Sequence, residues 1–210
     1  MPQTRKSAQD RKAEIAAATL RLLTTTPIEK LSTSHIANEI GITQAAIFRH
    51  FPTKDALWLA VLEAVEARAT ARWDDALEKE NTPLARLRAL LRAQLLLIAE
   101  TPSIPVLIFN AGRITSESTM RPVHLRVLEG LRRRAVDQLR AAQNVKDIAG
   151  PSPEDSSDLL LGLLQGAVFR WRMSECRFDL VSEGMRLVDI QLGLIAGHSQ
   201  RDTHGQGDKE

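Results

Sequence analysis

Between Leu31 and Leu57 the chain reads LSTSHIANEIGITQAAIFRHFPTKDAL, and the glycine at its middle constrains the fold more than any other residue. Ile36, Ala37 and Ile40 recur at helical spacing before it, and Gly41 stands where a helix end commonly takes a left-handed residue. Ile42 then turns back into a small core. Thr43 can cap a new helix by accepting a hydrogen bond from an N–H of its first turn. The pattern predicts that helix over Gln44 to His50, with Ala45 or Ala46, Ile47 and Phe51 turned inward. Gln44, the other alanine, Phe48, Arg49 and His50 are left to face outward or along the rim. Two short helices hinged at a glycine, the second beginning with small residues, form the layout of a helix-turn-helix able to enter a major groove closely.

Composition agrees with a small reading domain and a larger companion, since 210 residues at 43% hydrophobic can bury a sizeable core. The net charge of +2 is too small to indicate nucleic acid. Its distribution says more: over the first 58 residues Arg5, Lys6, Arg11, Lys12, Arg21, Lys30, Arg49 and Lys54 outnumber Asp10, Glu14, Glu29, Glu39 and Asp55. The basic excess therefore sits in the segment that would meet phosphates. A single cysteine, Cys176, excludes an internal disulfide framework. Apolar runs such as Leu159 to Leu164 are far short of a membrane span, and Met1 to Lys12 lacks the apolar core of a signal peptide. A cytoplasmic protein is the expectation.

The remainder reads as all-helical. There is no tyrosine, aromatics make up 4% of the chain, and apolar residues recur at three and four rather than alternating. A first helix is predicted near Ser7 to Thr25, ended by Pro27. A fourth follows the hinge pair, capped by Thr53, with Leu57, Val61, Leu62 and Val65 inward, and runs to about Glu80. Thr82-Pro83 opens a fifth to Ala99. A short sixth spans Ile104 to Asn110, and a seventh Met120 to Gln143. Asn144 to Ser157, with Gly150-Pro151-Ser152-Pro153, is the only linker-like stretch. Two last helices cover Glu154 to Ser174 and Phe178 to Ala196. Apolar residues spread around most of the first, so burying them takes more than one neighbour. Gly162 and Gly166 would let another helix approach closely. About nine helices result, divided into residues 1–54 as the reading domain, 55–197 as a larger helical domain, and 198–210 as a polar disordered tail.

Thr33, Ile36-Ala37, Gly41-Ile42-Thr43, Ile47-Phe48-Arg49-His50-Phe51, Pro52, Lys54 and Leu57, in this order and spacing, resemble the TetR/AcrR family of bacterial transcription regulators. The resemblance covers roughly Arg11 to Leu62. It implies a dimeric regulator that binds a double-stranded DNA operator, typically a repressor released by a small-molecule effector, mainly apolar, held in the larger domain. By position it carries DNA contact to Thr33, Thr43, Gln44, Ala45, Phe48, Arg49, His50 and Lys54. Phosphates suit helix starts, where free N–H groups and the dipole favour an anion, and Thr33 and Thr43 read as caps. Gln44 suits an adenine edge, and Arg49 a phosphate or a guanine. Phe48 stands where the family usually has tyrosine, so a phenolic hydroxyl that commonly meets a phosphate is absent.

The same resemblance places a homodimer seam on the last two helices, here assigned to Leu160, Leu163, Leu164, Ala167, Trp171, Leu187, Ile190 and Leu194. Residues of suitable character for an effector pocket are Leu95, Ile98, Val106, Phe109, Asn110, Arg113, Leu128, Gln165, Phe169, Arg172 and Met173. Plainer roles compete with several of these. His35 reads as a solvated helix residue, and Arg132-Arg133-Arg134 as a solvated face rather than a nucleic-acid patch. Enzymatic chemistry finds no support: His124, His198 and His204 lie far apart, Cys176 has no neighbouring histidine, and no glycine-rich phosphate loop occurs. Neither a metal nor a cofactor is expected. Two alternatives stay open: a DNA-binding regulator of this fold without an effector, and an adaptor whose helical domain binds a protein.

Overall fold

The structure, a computed structural model, describes residues 7–27, 30–105, 117–148 and 150–202, the side chains of 117–120 and 197–202 excepted. Eight α-helices and no strand occur among them: α1 Ala8–Leu22, α2 Thr33–Glu39, α3 Gln44–His50, α4 Lys54–Glu78, α5 Pro83–Glu100, α6 Glu117–Asn144, α7 Pro153–Met173 and α8 Leu180–Asp202. A further helical turn occupies 103–105. The rest of the helix expected to Asn110 lies outside the described residues. So do 203–210, whereas α8 continues through 198–202, where the sequence predicts a tail.

Helix starts follow local chemistry. Ser7 and Asp10 form a capping box, Asp10 N donating to Ser7 Oγ at 3.0 Å and Ser7 N to Asp10 Oδ2 at 3.3 Å. Thr53, Thr82 and Ser152 likewise accept from the N–H groups of Ala56, Ala85 and Asp155. Each satisfies one of the orphan donors that a helix leaves at its first turn.

The chain divides into two compact units, the first made of residues 1–69 and 100–127. Within it α1, α2 and α3 pack pairwise. Ile15, Ile36 and Ile47 are almost fully buried, as are Leu57, Val61, Leu62 and Val65 of α4. Thr19, buried in α1, donates its hydroxyl to the Ile15 carbonyl at 2.8 Å, so its burial leaves no polar group stranded. Ser103 Oγ donates to the Leu23 carbonyl at 2.5 Å, tying the segment after α5 to the end of α1. Arg126 pairs with Glu66 at 2.8 Å. The boundary expected at residue 54 thus falls inside this unit.

The second unit comprises residues 70–99 and 128–210. Trp73 is buried at 1% exposure and its Nε1 donates to Gln94 Oε1 at 3.0 Å. The Arg134 guanidinium lies 5.5 Å from the centroid of the Trp73 ring and also pairs with Asp74 at 2.8 Å. Arg88 of α5 donates through two nitrogens to Asp189 of α8 at 2.6 and 2.9 Å. Arg132 and Arg140 of α6 pair with Asp158 and Glu154 of α7. Hydrogen bonds from Arg88 hold the Asp189 carboxyl below its ordinary value, so its contribution is present at neutral pH and is lost as acid protonates it. These pairs are exposed and screened by solvent, so they set register more than stability.

Two glycines are required by the backbone. Gly41 has φ +68°, a left-handed conformation that closes the hinge between α2 and α3. At Gly184 a Cβ would stand 2.7 Å from Leu95 Cδ1, so α8 approaches α5 closely enough that any side chain there must shift the buried Leu95. At Gly162 and Gly166 a Cβ would meet nothing within 4 Å, so no described residue of the same chain lies against them. Accordingly Gly184→Ala must displace the buried Leu95, at about 1–3 kcal/mol, and Gly41→Ala costs about 1–2 kcal/mol through its backbone. Urea midpoints of the purified variants check both; an unshifted Gly184→Ala would mean that α5 and α8 do not pack as described.

Candidate nucleic-acid interface

Helices of seven residues are too short to hold themselves in water, so α2 and α3 depend on the core beneath them. Ile47 and Phe51 supply the α3 side of that core, at 0% and 3% exposure, with Ala46 half-buried and Ala45 exposed. This resolves the choice between the two alanines: Ala46 turns inward and Ala45 joins the outer face. Thr43 caps α3, accepting from Ala46 N at 3.1 Å. With α3 fixed in this phase, Gln44, Ala45, Phe48 and Arg49 are exposed and His50 is half-exposed at the rim. Phe48 is 40% exposed and so lies on the outer face instead of in the small core. Lys54 opens α4, also exposed. The ring of Phe51 carries Lys12 Nζ at 5.7 Å from its centroid, a cation over the core's edge that the hydrophobic pattern does not signal.

Thr33 departs from expectation. Ser32 caps α2, accepting from His35 N at 3.2 Å, and Thr33 is the first helical residue, buried at 8% exposure. Its Oγ1 accepts instead from Gln44 Nε2 at 2.7 Å, across eleven positions of sequence. Ser32 and Thr33 are both good caps by type, and only the phase of α2 decides between them. His35 is exposed, as a solvated helix residue should be.

Charge is deployed differently in the two units. Among the described residues no ion pair engages Arg49 or Lys54 of the head. In the second unit Arg132 and Arg134 are taken up by Asp158 and Asp74. The triple arginine of α6 is therefore structural at two of its three positions, while Arg49 and Lys54 beside α3 have no ion pair among the described residues.

The surface of α7 and α8 differs in phase from expectation. Leu160, Leu164, Ala167 and Trp171 are buried within the unit, at 0–5% exposure, and offer nothing to a partner. Leu163 and Leu187 are half-buried; Ile190 and Leu194 are exposed. Leu159, Phe169 and Met173, the last two at 64% and 70% exposure, continue this apolar face along α7 together with Gly162 and Gly166. Because apolar residues encircle α7, the helical period alone could not say which side faces inward.

The expected effector residues differ in burial. Leu95 and Ile98 are buried, Leu128 is partly exposed, and Gln165, Phe169, Arg172 and Met173 face solvent. Val106, Phe109, Asn110 and Arg113 lie outside the described residues. An open groove of about 500 Å³ between α4 and α5 is lined instead by charged residues, Arg72, Lys79, Glu80 and Arg92 among them, and by alanines. Among the described residues no cluster of His, Cys, Asp or Glu could hold a metal, and no helix is long and apolar enough to cross a membrane.

A three-helix head with an outward α3, cations beside it that no described ion pair engages, and a separate helical unit define a helix-turn-helix DNA-binding regulator. Residues 15–61 match the model of the bacterial regulatory proteins of the tetR family, so the head is similar to the DNA-binding heads of those regulators. It is 23% identical over 172 residues to the nucleoid occlusion factor SlmA of Shewanella amazonensis, covering 81% of this chain and 87% of that one. A transcriptional regulator from Saccharomonospora viridis, solved in complex with choline, superposes with a TM-score of 0.76 at 18% identity, over 86% of this chain and 94% of the other. FadR of Bacillus subtilis, solved with stearoyl-CoA, gives 0.68 at 16% identity, over 87% and 96%.

Proposed function

We propose that the chain works as a homodimeric repressor, each protomer laying α3 into the major groove of one operator half-site. The observation that carries this reading is the outer face of the head: polar and basic side chains, exposed and unengaged by ion pairs among the described residues, on a helix whose inner face is locked by Ile47 and Phe51. Gln44, Ala45 and Phe48 are the residues for base edges and thymine methyls; Arg49, His50 and Lys54 serve phosphates, and Thr43 joins them at the start of α3. The apolar face of Leu159, Phe169, Met173, Ile190 and Leu194 supplies the twofold seam, since an exposed stripe of this size on a soluble chain marks an interaction surface. Gly162 and Gly166 lie on that face and admit the partner helix closely.

Release by a small, mainly apolar effector completes the reading. Two half-sites must sit about 34–36 Å apart, so a ligand that prefers a displaced pair of heads weakens DNA by its coupling energy, about 1–3 kcal/mol. Solved relatives of this fold hold choline and stearoyl-CoA. A second reading, a DNA-binding protein of the same fold without an effector, draws on the similarity to nucleoid occlusion factors across most of the chain and on the charged, open character of the α4–α5 groove. A melting assay with a panel of apolar compounds separates them. A compound that raises the melting temperature and releases DNA supports the repressor; none doing so favours the second.

Selection of bound sequences from a random DNA pool tests the head. Gln44→Ala is expected to relax preference at one position per half-site, whereas Lys54→Ala weakens all DNA about equally and lowers the salt slope by about one. A changed preferred sequence in Lys54→Ala would overturn the assignment. Phe48→Tyr, supplying the hydroxyl usual in the family, should tighten binding to every sequence while leaving the salt slope unchanged, since a neutral hydroxyl releases no counterion. For the seam, Ile190→Glu sits at an exposed position and should leave the fold intact while yielding monomers in sedimentation; a persistent dimer would place the interface elsewhere.

A further inference from the structure

The contact between Gln44 and Thr33 joins the first residue of α3 to the first residue of α2, a side-chain link between the reading surface and the helix behind it. Its two ends are unlike. Thr33 is buried at 8% exposure on a helix whose cap is provided by Ser32, so its side chain has few ways to move. Gln44 is exposed, and an exposed glutamine without a partner samples many rotamers. A bond of 2.7 Å to a fixed hydroxyl removes most of that freedom before any DNA arrives.

The chemistry of the amide gives the restraint a direction. A glutamine side chain carries two N–H donors and one carbonyl acceptor. One N–H is spent on Thr33 Oγ1, which leaves one N–H donor and the Oε1 acceptor of the amide for a further partner. A donor next to an acceptor is the pair that adenine complements in the major groove, through N7 and the N6 amino group.

We propose that Thr33 is a positioning residue for base readout: its hydroxyl pre-orients the Gln44 amide so that the dimer reads adenine at one position of each half-site. This deepens, and rests on, the assignment of α3 as the reading helix. The cost of ordering Gln44 is met during folding rather than during binding, so losing the hydroxyl shows as lost discrimination.

The test compares wild type, Thr33→Val, Thr33→Ser, Gln44→Ala and the double variant Thr33→Val/Gln44→Ala in selections from random duplex DNA, each full-length chain first checked for an intact melting transition. Wild type should select adenine at one symmetric position. Thr33→Val should lower discrimination there by about fivefold or more, within the range of a bidentate base contact. Thr33→Ser should keep it, and adding Thr33→Val to Gln44→Ala should change nothing further at that position. If Thr33→Val weakens all sequences alike with the preference intact, Thr33 holds only a phosphate and the proposal falls. A wild type that selects no sequence would instead overturn the reading of α3 itself. A second measurement stands apart from the variants' folding: side-chain amide relaxation by NMR in the DNA-free protein. Gln44 should be markedly more ordered than Gln165, which is exposed and has no such buried partner; equal mobility would overturn the proposal.

Discussion

Everything the head can do depends on the burial of Ile36, Ile47 and Phe51. Isolated helices shorter than about 12 residues are marginal in water, and α2 and α3 have seven residues each. Their persistence therefore comes from the core they share with α1, to which each contributes almost fully buried apolar groups. That dependence is also what makes the head precise. A helix held by its inner face has no rotational freedom, so the outward set of Gln44, Ala45, Phe48 and Arg49 is determined once Ile47 and Phe51 are seated.

The two units spend their charges for different ends. In the second, arginines of α5 and α6 are consumed by Asp189, Asp158 and Glu154, crossing from helix to helix and setting register where the apolar surface alone would permit sliding. Around α3, Arg49 and Lys54 have no ion-pair partner among the described residues, an arrangement that brings little to stability and is useful only toward an external anion. A near-neutral chain can thus present a basic face, because the acidic residues of the first unit pair with other arginines, such as Arg21 and Arg126, and not with Arg49 or Lys54. Net charge is blind to this, and the pairing pattern is not.

Much of the head is legible in the sequence. Gly41 marks the hinge, the pattern places α3 over Gln44 to His50, and Thr43 and Thr53 are recognisable as caps, because these features rest on interactions within four residues. The sequence misleads where two local solutions are equally good. Ser32 and Thr33 are adjacent and both suited to capping. On α7, leucines encircle the helix, so Leu160, Leu164, Ala167 and Trp171 suit a seam by pattern when they are in fact core. Gly162 and Gly166 have the spacing of packing glycines, while Gly184, pressed against Leu95 of a distant helix, carries no local mark.

By itself, then, the sequence determined the helical class, the hinge and the layout of the head, since period, capping and left-handed glycine are properties of short stretches. Tertiary structure decided which face of each helix is spent on the core and which is kept for a partner. It decided that Thr33 serves Gln44 rather than α2, that Arg132 and Arg134 of α6 are structural, and that the open apolar face of α7 and α8 runs through Phe169 and Met173. The reason is the same in each case: a helix repeats its chemistry on every side, and only a second helix brought against it from far along the chain breaks that equivalence.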